Sequence, residues 1–392
     1  MINCSNALHK GLYLLLVTLF FSCSSTRTPR TVARLTPQDS IWGAANMAGF
    51  EKKMAQLQEH YHIPGISVGI MNGHQLIWKK GFGYADREQQ IVPDENTIYQ
   101  VASVTKTFGA IILMQQVEAG KISLDDPISK YKINLGARWG SDPKIKIKHL
   151  LTHTAMGSAL NGFKPGYKFR YNGAWYQQLG KAIQQASGES FGELLMKEIV
   201  GPLSLKNTAP STDDSLNFAL TGYDKALFMQ RVAKPYDWQH QQIVPITFNY
   251  EFGPAAGIMS TVADLGIYSN AIDDGKFLQD TTWKQVFTPF VTPQGKPIQY
   301  GLGWFIGHYK GIKVVWHTGW WTGYSALFVK VPEKDLTFIV LANSQDLSRP
   351  FYHLMQIGHM GVYRPFKRNL NKRLDASDFG KAFLDYFLKR KA

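Results

Sequence analysis

Phe50, Met54, Leu57 and Tyr61 recur at three- and four-residue steps, a spacing that predicts an amphipathic helix over about residues 45–62, closed by Pro64-Gly65. The period then changes. Residues 66–71 and 75–84 read as strands joined through Asn72-Gly73-His74, a turn sequence that accepts the positive φ of a tight hairpin. Phe108, Ile111, Ile112, Met114 and Val117 make a dense apolar run ending at Gly120, which predicts a buried helix with a glycine stop.

Helical stretches and irregular loops fill about residues 125–275, among them 176–186 and 192–199. Thr261-Val-Ala-Asp264 reads as a helix cap and capping box, which gives Asp264 a structural role. Tyr223, Phe228, Tyr236, Trp238, Phe248 and Tyr250 crowd residues 211–253, where they either wall a pocket or bury one another. Three strands then follow closely, at 312–317, 324–331 and 336–342, with Pro332-Glu333-Lys334-Asp335 as the second turn. Residues 351–360 and 377–390 read as helices, the latter with Phe379, Phe383 and Phe387 on one face. A hairpin near one end, a meander near the other and helices between imply an α+β fold. One antiparallel sheet forms from both chain ends, flanked by helices, with a helical lobe inserted.

Composition supports a packed domain: 392 residues, 44% hydrophobic and 13% aromatic, are ample for a core. The formal charge is +14, from 43 Lys+Arg against 29 Asp+Glu. The excess is diffuse except toward the carboxyl end, and no zinc-ligand spacing, RNP-like strand or helix-turn-helix accompanies it, so a nucleic-acid partner is not expected. A solvated basic surface facing an anionic membrane or wall accounts for it. Lys144, Lys146 and Lys148 alternate with Ile145 and Ile147 as one wet face of an extended segment.

The amino terminus changes the picture of where the chain works. His9-Lys10 precedes an apolar run, residues 11–21, too short to span a bilayer, so residues 1–22 read as a leader and the protein as exported. Cys4 lies inside that leader, and Cys23 follows Leu19-Phe20-Phe21-Ser22, which resembles a bacterial lipoprotein cleavage box. Lipidation of Cys23 then explains a lone cysteine in an oxidising compartment, with ordinary leader cleavage as the alternative. Residues 23–45 become a tether holding the protein to the membrane, 46–362 the folded domain, and 363–392 a basic extension with a helix. Whether that extension docks or faces the membrane stays open.

The candidate chemistry begins at Ser103-Val-Thr-Lys106. Serine is a weak nucleophile that needs a base, and a lysine three positions on lies one helical turn away on the same face. The spacing alone is weak, since Ser129-Lys-Tyr-Lys132 repeats it and Ser103 also suits an ordinary helix cap. Context separates the copies: Ser103 opens a buried helix, where a lysine loses its charge readily, whereas Ser129 follows Asp125-Asp126-Pro127 in a polar, turn-prone stretch. His149 and His153 stand four apart without the acidic residue of a His-Glu-x-x-His site, so they read as capping or packing residues rather than metal ligands. Gly81-Phe-Gly83 and Gly301-Leu-Gly303 continue into no nucleotide motif.

Taken in order, several segments resemble the serine β-lactamase and penicillin-binding-protein superfamily, in its class C-like branch, over about residues 46–345. They are Ser103-Val-Thr-Lys106, His149-Leu-Leu-Thr-His-Thr154, Pro165-Gly166 leading to Tyr171 and Tyr176, Tyr300-Gly-Leu-Gly-Trp304, and His317-Thr-Gly319. The resemblance implies a β-lactamase/DD-peptidase-like fold and a serine hydrolase that needs no metal or cofactor. Ser103 would be acylated, Lys106 would share or accept its proton, and Tyr171 would complete the trio. His317-Thr318-Gly319 matches the family's Lys-Thr-Gly triplet, with Gly319 letting substrate lie against the strand. The N–H groups of Ser103 and Trp320 would form the oxyanion hole.

Two departures bear on the substrate. The family's second motif is usually Tyr-x-Asn, but here Gly173 stands where the asparagine belongs and Asn172 comes one place early. The triplet also begins with His317 rather than lysine, which removes a fixed cation for a substrate carboxylate. The expected partner is therefore a small acyl or peptide substrate, with ester or peptide cleavage favoured over β-lactam hydrolysis, and Asn172, His317, Thr318 and Gly319 as its contacts. A non-hydrolytic penicillin-binding or sensor protein that keeps the fold is the alternative.

Overall fold

In the computed structural model, residues 43–136, 140–155, 164–352, 354–357, 362–365 and 372–388 are described. The leader, Cys23 and all but the end of the tether lie outside them. Helix α1 (Ala44–His60) leads into a hairpin of β1 (Gly65–Asn72) and β2 (Gln75–Gly83), whose turn residues Gly73 and His74 both have positive φ, +53° and +64°. The short β3 (Tyr99–Gln100) precedes a 3₁₀ turn (Ala102–Val104) and the buried helix α2 (Thr105–Glu118). The helical lobe includes α3 (Ile147–Leu151), α4 (Gly173–Gln177) and α5 (Leu179–Ser187). A small hairpin, β4 (Tyr236–Gln239) and β5 (Gln242–Pro245), comes next, and then β6 (Met259–Ser260), which pairs with β3. The chain returns to the main sheet through β7 (Phe305–Tyr309), β8 (Ile312–Trp321), β9 (Tyr324–Val331) and β10 (Leu336–Ala342).

The main sheet has strand order β2-β1-β10-β9-β8-β7, antiparallel throughout, so the two ends of the chain meet where β1 pairs β10. Strand alternation divides the core into two layers. Ile66, Val68, Ile70, Phe338 and Val340 face α1 and the C-terminal helix (Asp378–Phe387), whereas Ile339, Leu341, Val315 and Phe328 face α2 and the helical lobe.

The C-terminal helix docks. Phe379, Phe383 and Phe387 are buried, Phe383 stacks on Phe338 with ring centroids 4.8 Å apart, and Phe387 meets Phe50 of α1 at 4.9 Å. Two expectations change and one strand is new. The helix expected over 351–360 is a single turn, Arg349–Tyr352, followed by a hairpin of β11 (Leu354–Ile357) and β12 (Val362–Pro365). Gly358 falls inside the expected helix, costing about 1 kcal/mol relative to alanine there, while the backbone groups of Leu354–Ile357 pair with Val362–Pro365 instead. β7 has no counterpart in the sequence pattern, because Gly307 interrupts its apolar alternation. The lysine-rich segment is extended only in part: Ile147 already starts α3, Ile145 and Ile147 are buried, and Lys146 and Lys148 both pair with Asp125, at 2.7 and 2.6 Å.

Candidate active site

Ser103 sits in the 3₁₀ turn that joins β3 to α2, only 7% exposed, directly after Ala102, whose φ of +46° is left-handed. A non-glycine residue there costs about 1–2 kcal/mol, a strain the surrounding packing must hold. One turn later Lys106 is 1% exposed, and its Nζ donates to Ser103 Oγ at 2.9 Å and to the Ala255 carbonyl at 2.8 Å. Burial disfavours the ammonium and brings the Lys106 pKa down to about 7. The buried Tyr176 hydroxyl donates to the Lys106 carbonyl at 3.0 Å, so this second tyrosine of the motif fixes the helix rather than the reaction.

Tyr171 enters from the segment before α4. Lys106 Nζ lies 5.0 Å from its ring centroid, which brings together the three residues expected to act. Asn172 does something other than contact substrate: its side chain caps α4 by accepting the Trp175 N–H at 3.1 Å, the usual use of asparagine at that position. Gly173 faces the lysine instead. A Cβ built on it would lie 3.8 Å from Lys106 Nζ, so the missing side chain leaves a space directly beside the base.

The third wall is β8, where alternation gives its residues two different fates. His317 is fully buried; its Nδ1–H donates to the Thr318 carbonyl at 2.7 Å and its Nε2 accepts from the Tyr300 hydroxyl at 3.1 Å. Burial and the nearby Lys106 push its pKa well below the usual imidazole range, so it is neutral and both ring nitrogens are occupied. Thr318 points to the opposite face, its hydroxyl engaged with Ala326 O at 3.1 Å and Ser348 Oγ at 2.7 Å, which corrects the expectation that it contacts substrate. Gly319 is needed for a close approach of a different kind from the one expected. A Cβ there would fall 2.2 Å from the Val101 carbonyl, so β8 docks against the segment that carries Ser103. That contact sets β8, on which Trp320 follows Gly319, beside the turn that carries Ser103.

With this geometry in view, a family model described as Beta-lactamase matches residues 50–357. The chain belongs to the Beta-lactamase family. It is 26% identical to Protein flp of Staphylococcus aureus (strain MW2) over 322 residues, 72% of this chain and 60% of that protein. It is 22% identical to Penicillin-binding protein 4* of Bacillus subtilis (strain 168) over 325 residues, 74% of this chain and 70% of that one. The chain thus spans about three fifths of the length of the Staphylococcus relative. Among solved structures, the octameric penicillin-binding protein homologue from Pyrococcus abyssi matches with a TM-score of 0.66 at 27% identity, over 76% of this chain and 74% of that one. A D-stereospecific amidohydrolase from Streptomyces sp. shares the fold, with a TM-score of 0.61 at 20% identity over 76% and 94%.

This Beta-lactamase-family site brings together a buried serine hydroxyl, a lysine with depressed pKa and a tyrosine ring. The second Ser-x-x-Lys is not a site: Ser129 and Lys132 are both exposed, and Lys132 has left-handed backbone at the end of a 3₁₀ turn. His149 Nδ1 accepts the Lys146 N–H at 3.1 Å, a capping contact. Asp264 likewise accepts from Asn207 N–H and the Thr208 hydroxyl, at 2.8 and 2.9 Å, and is structural. The aromatic loop does both things expected of it. Tyr223 stacks on Phe228 in a small core, while Phe248 and Tyr250 help line a cavity of about 840 Å³ that reaches Gln100, just before the nucleophile's turn. Sequence reasoning missed the Ala255 carbonyl and the Tyr300 partner of His317. The first is a backbone atom with no sequence signal, and the second lay inside the Tyr300-Gly-Leu-Gly-Trp304 motif.

Proposed function

We propose that this chain is a serine hydrolase that cleaves esters or peptide bonds through an acyl-enzyme on Ser103. The observation that carries the reading is the 2.9 Å contact between a fully buried lysine, its pKa near 7, and the serine hydroxyl. Neutral Lys106 takes the Ser103 proton as Oγ bonds to the carbonyl carbon, and the oxyanion accepts from the N–H groups of Ser103 and Trp320. The proton passes, through Lys106 and Tyr171, to the leaving alcohol or amine as its bond to the acyl carbon breaks. Water then attacks the ester, returning the acid and free serine.

Esters and small peptides fit better than β-lactams on electrostatic grounds. A neutral, internally bonded His317 offers no cation for a substrate carboxylate, and Gly173 offers no amide. The leader at residues 1–22 and Cys23 support export and a lipid anchor; palmitate labelling that persists in Cys23→Ala overturns the anchor. The activity is tested by steady-state assay of nitrophenyl esters, D-amino acid amides, peptidoglycan stem peptides and a chromogenic cephalosporin. The expected result is fastest turnover of esters and a loss of roughly 10³-fold or more in Ser103→Ala. A burst with no steady-state release points instead to a penicillin-binding or sensor protein.

A further inference from the structure

His153 takes no part in the acyl transfer just described, yet it is held against it. It follows α3 with a left-handed φ of +53° and is 3% exposed. Two of its hydrogen-bonding groups grip the chain on either side of Tyr171. The His153 carbonyl accepts the Arg170 N–H at 2.7 Å, and its Nδ1 accepts the Asn172 N–H at 3.2 Å. The imidazole also lies on the Tyr171 ring, with centroids 4.1 Å apart and planes tilted by 37°.

Because Nδ1 is an acceptor, the proton of the neutral ring sits on Nε2. That buried Nε2 has no hydrogen-bond partner among the described residues, at a cost of about 1–3 kcal/mol. Strained backbone and an orphaned donor together mark a ring retained for something other than stability. The reason lies one residue past the clamp. With Gly173 in place of a motif side chain, α4 opens without an amide reaching back to Lys106, and the segment bearing Tyr171 needs another anchor.

We infer that His153 is the positioning residue for Tyr171, clamping residues 170 and 172 so that the tyrosine stays in register with Lys106 and Ser103. This rests on the proposed acylation of Ser103. Two substitutions separate its parts. His153→Asn keeps an acceptor at the Nδ1 position and tolerates left-handed backbone, whereas His153→Phe keeps a ring but removes the acceptor.

The experiment measures inactivation by a fluorophosphonate (kinact and KI) and turnover of a nitrophenyl ester for wild type and both variants. His153→Phe is expected to lower kinact and kcat by roughly 10- to 100-fold, the effect of a misplacement of about 1 Å, with KI and KM unchanged. His153→Asn should recover most of that loss. A wild-type rate in His153→Phe, or equal losses in both variants, overturns the assignment while leaving the hydrolase reading intact. Failure of the wild type itself to label overturns both. Ring ¹⁵N shifts of the wild-type protein supply a test that needs no variant to fold: the expected signature is the Nε2–H tautomer at neutral pH, and a proton on Nδ1 contradicts the clamp.

Discussion

Gly173→Asn restores an amide beside the base, and its effect follows from the geometry. A Cβ at this position meets only Lys106 Nζ within 4 Å, at 3.8 Å, so the new side chain starts without a clash and directly beside the amine. A lysine ammonium has three donors; Ser103 Oγ and the Ala255 carbonyl take two, which leaves the third for the new Oδ1. A hydrogen bond to the charged form stabilises it by about 1.4 kcal/mol, which raises the Lys106 pKa by about one, from near 7 to near 8. At pH 7 the neutral fraction then falls from about a half to about a tenth, so acylation slows roughly fivefold, and the two proteins converge above pH 9. Fluorophosphonate inactivation measured from pH 5.5 to 10 reads this as an upward move of the acid limb. A limb that stays put, or moves down, in a folded Gly173→Asn protein refutes both the base assignment of Lys106 and the reading of Gly173 as the open side of its pocket.

Other outcomes follow from the same contacts. Gly319→Ala forces a methyl to 2.2 Å from the Val101 carbonyl; it should destabilise by about 1–3 kcal/mol and cut Ser103 acylation at least roughly tenfold, read by denaturant unfolding and inactivation rate. Lys106 titrates near 7 when folded and at 10.5 as a free side chain, so the unfolded chain binds more protons between those values. Its contribution to stability is therefore fully present above about 10.5 and is lost as pH falls toward 7, by up to about 1.4 kcal/mol per pH unit. Lys106→Met should flatten that part of the urea-measured stability curve. Phe383→Ala removes the ring stacked on Phe338 and should cost about 3–5 kcal/mol in urea unfolding without changing the substrate KM.

Much of this was legible in the chain. Elements with a strong period, α1, the β1–β2 hairpin, α2 and the β8–β10 meander, were readable because their apolar spacing matches one geometry only. Ser103 and Lys106 were readable because their spacing coincides with the start of a buried helix and with the motifs downstream, which the second Ser-x-x-Lys lacks. What stayed hidden depended on the fold. The Ala255 carbonyl reaches Lys106 across 149 positions and carries no side-chain signature. Thr318 looked like a substrate contact within a triplet, yet the alternation of β8 turns it to the other layer, toward Ser348. Asn172 looked like a displaced motif amide and is a helix cap. His153 read as packing because a single histidine gives no hint that its carbonyl and its ring hold the same segment from two sides.

The most direct measurement is intact mass and peptide mapping of the protein after reaction with a fluorophosphonate. The account predicts a single adduct, on the peptide that contains Ser103, absent from Ser103→Ala and formed with a rate that rises as pH passes through about 7. An adduct on another residue, or one that persists unchanged in Ser103→Ala, contradicts it.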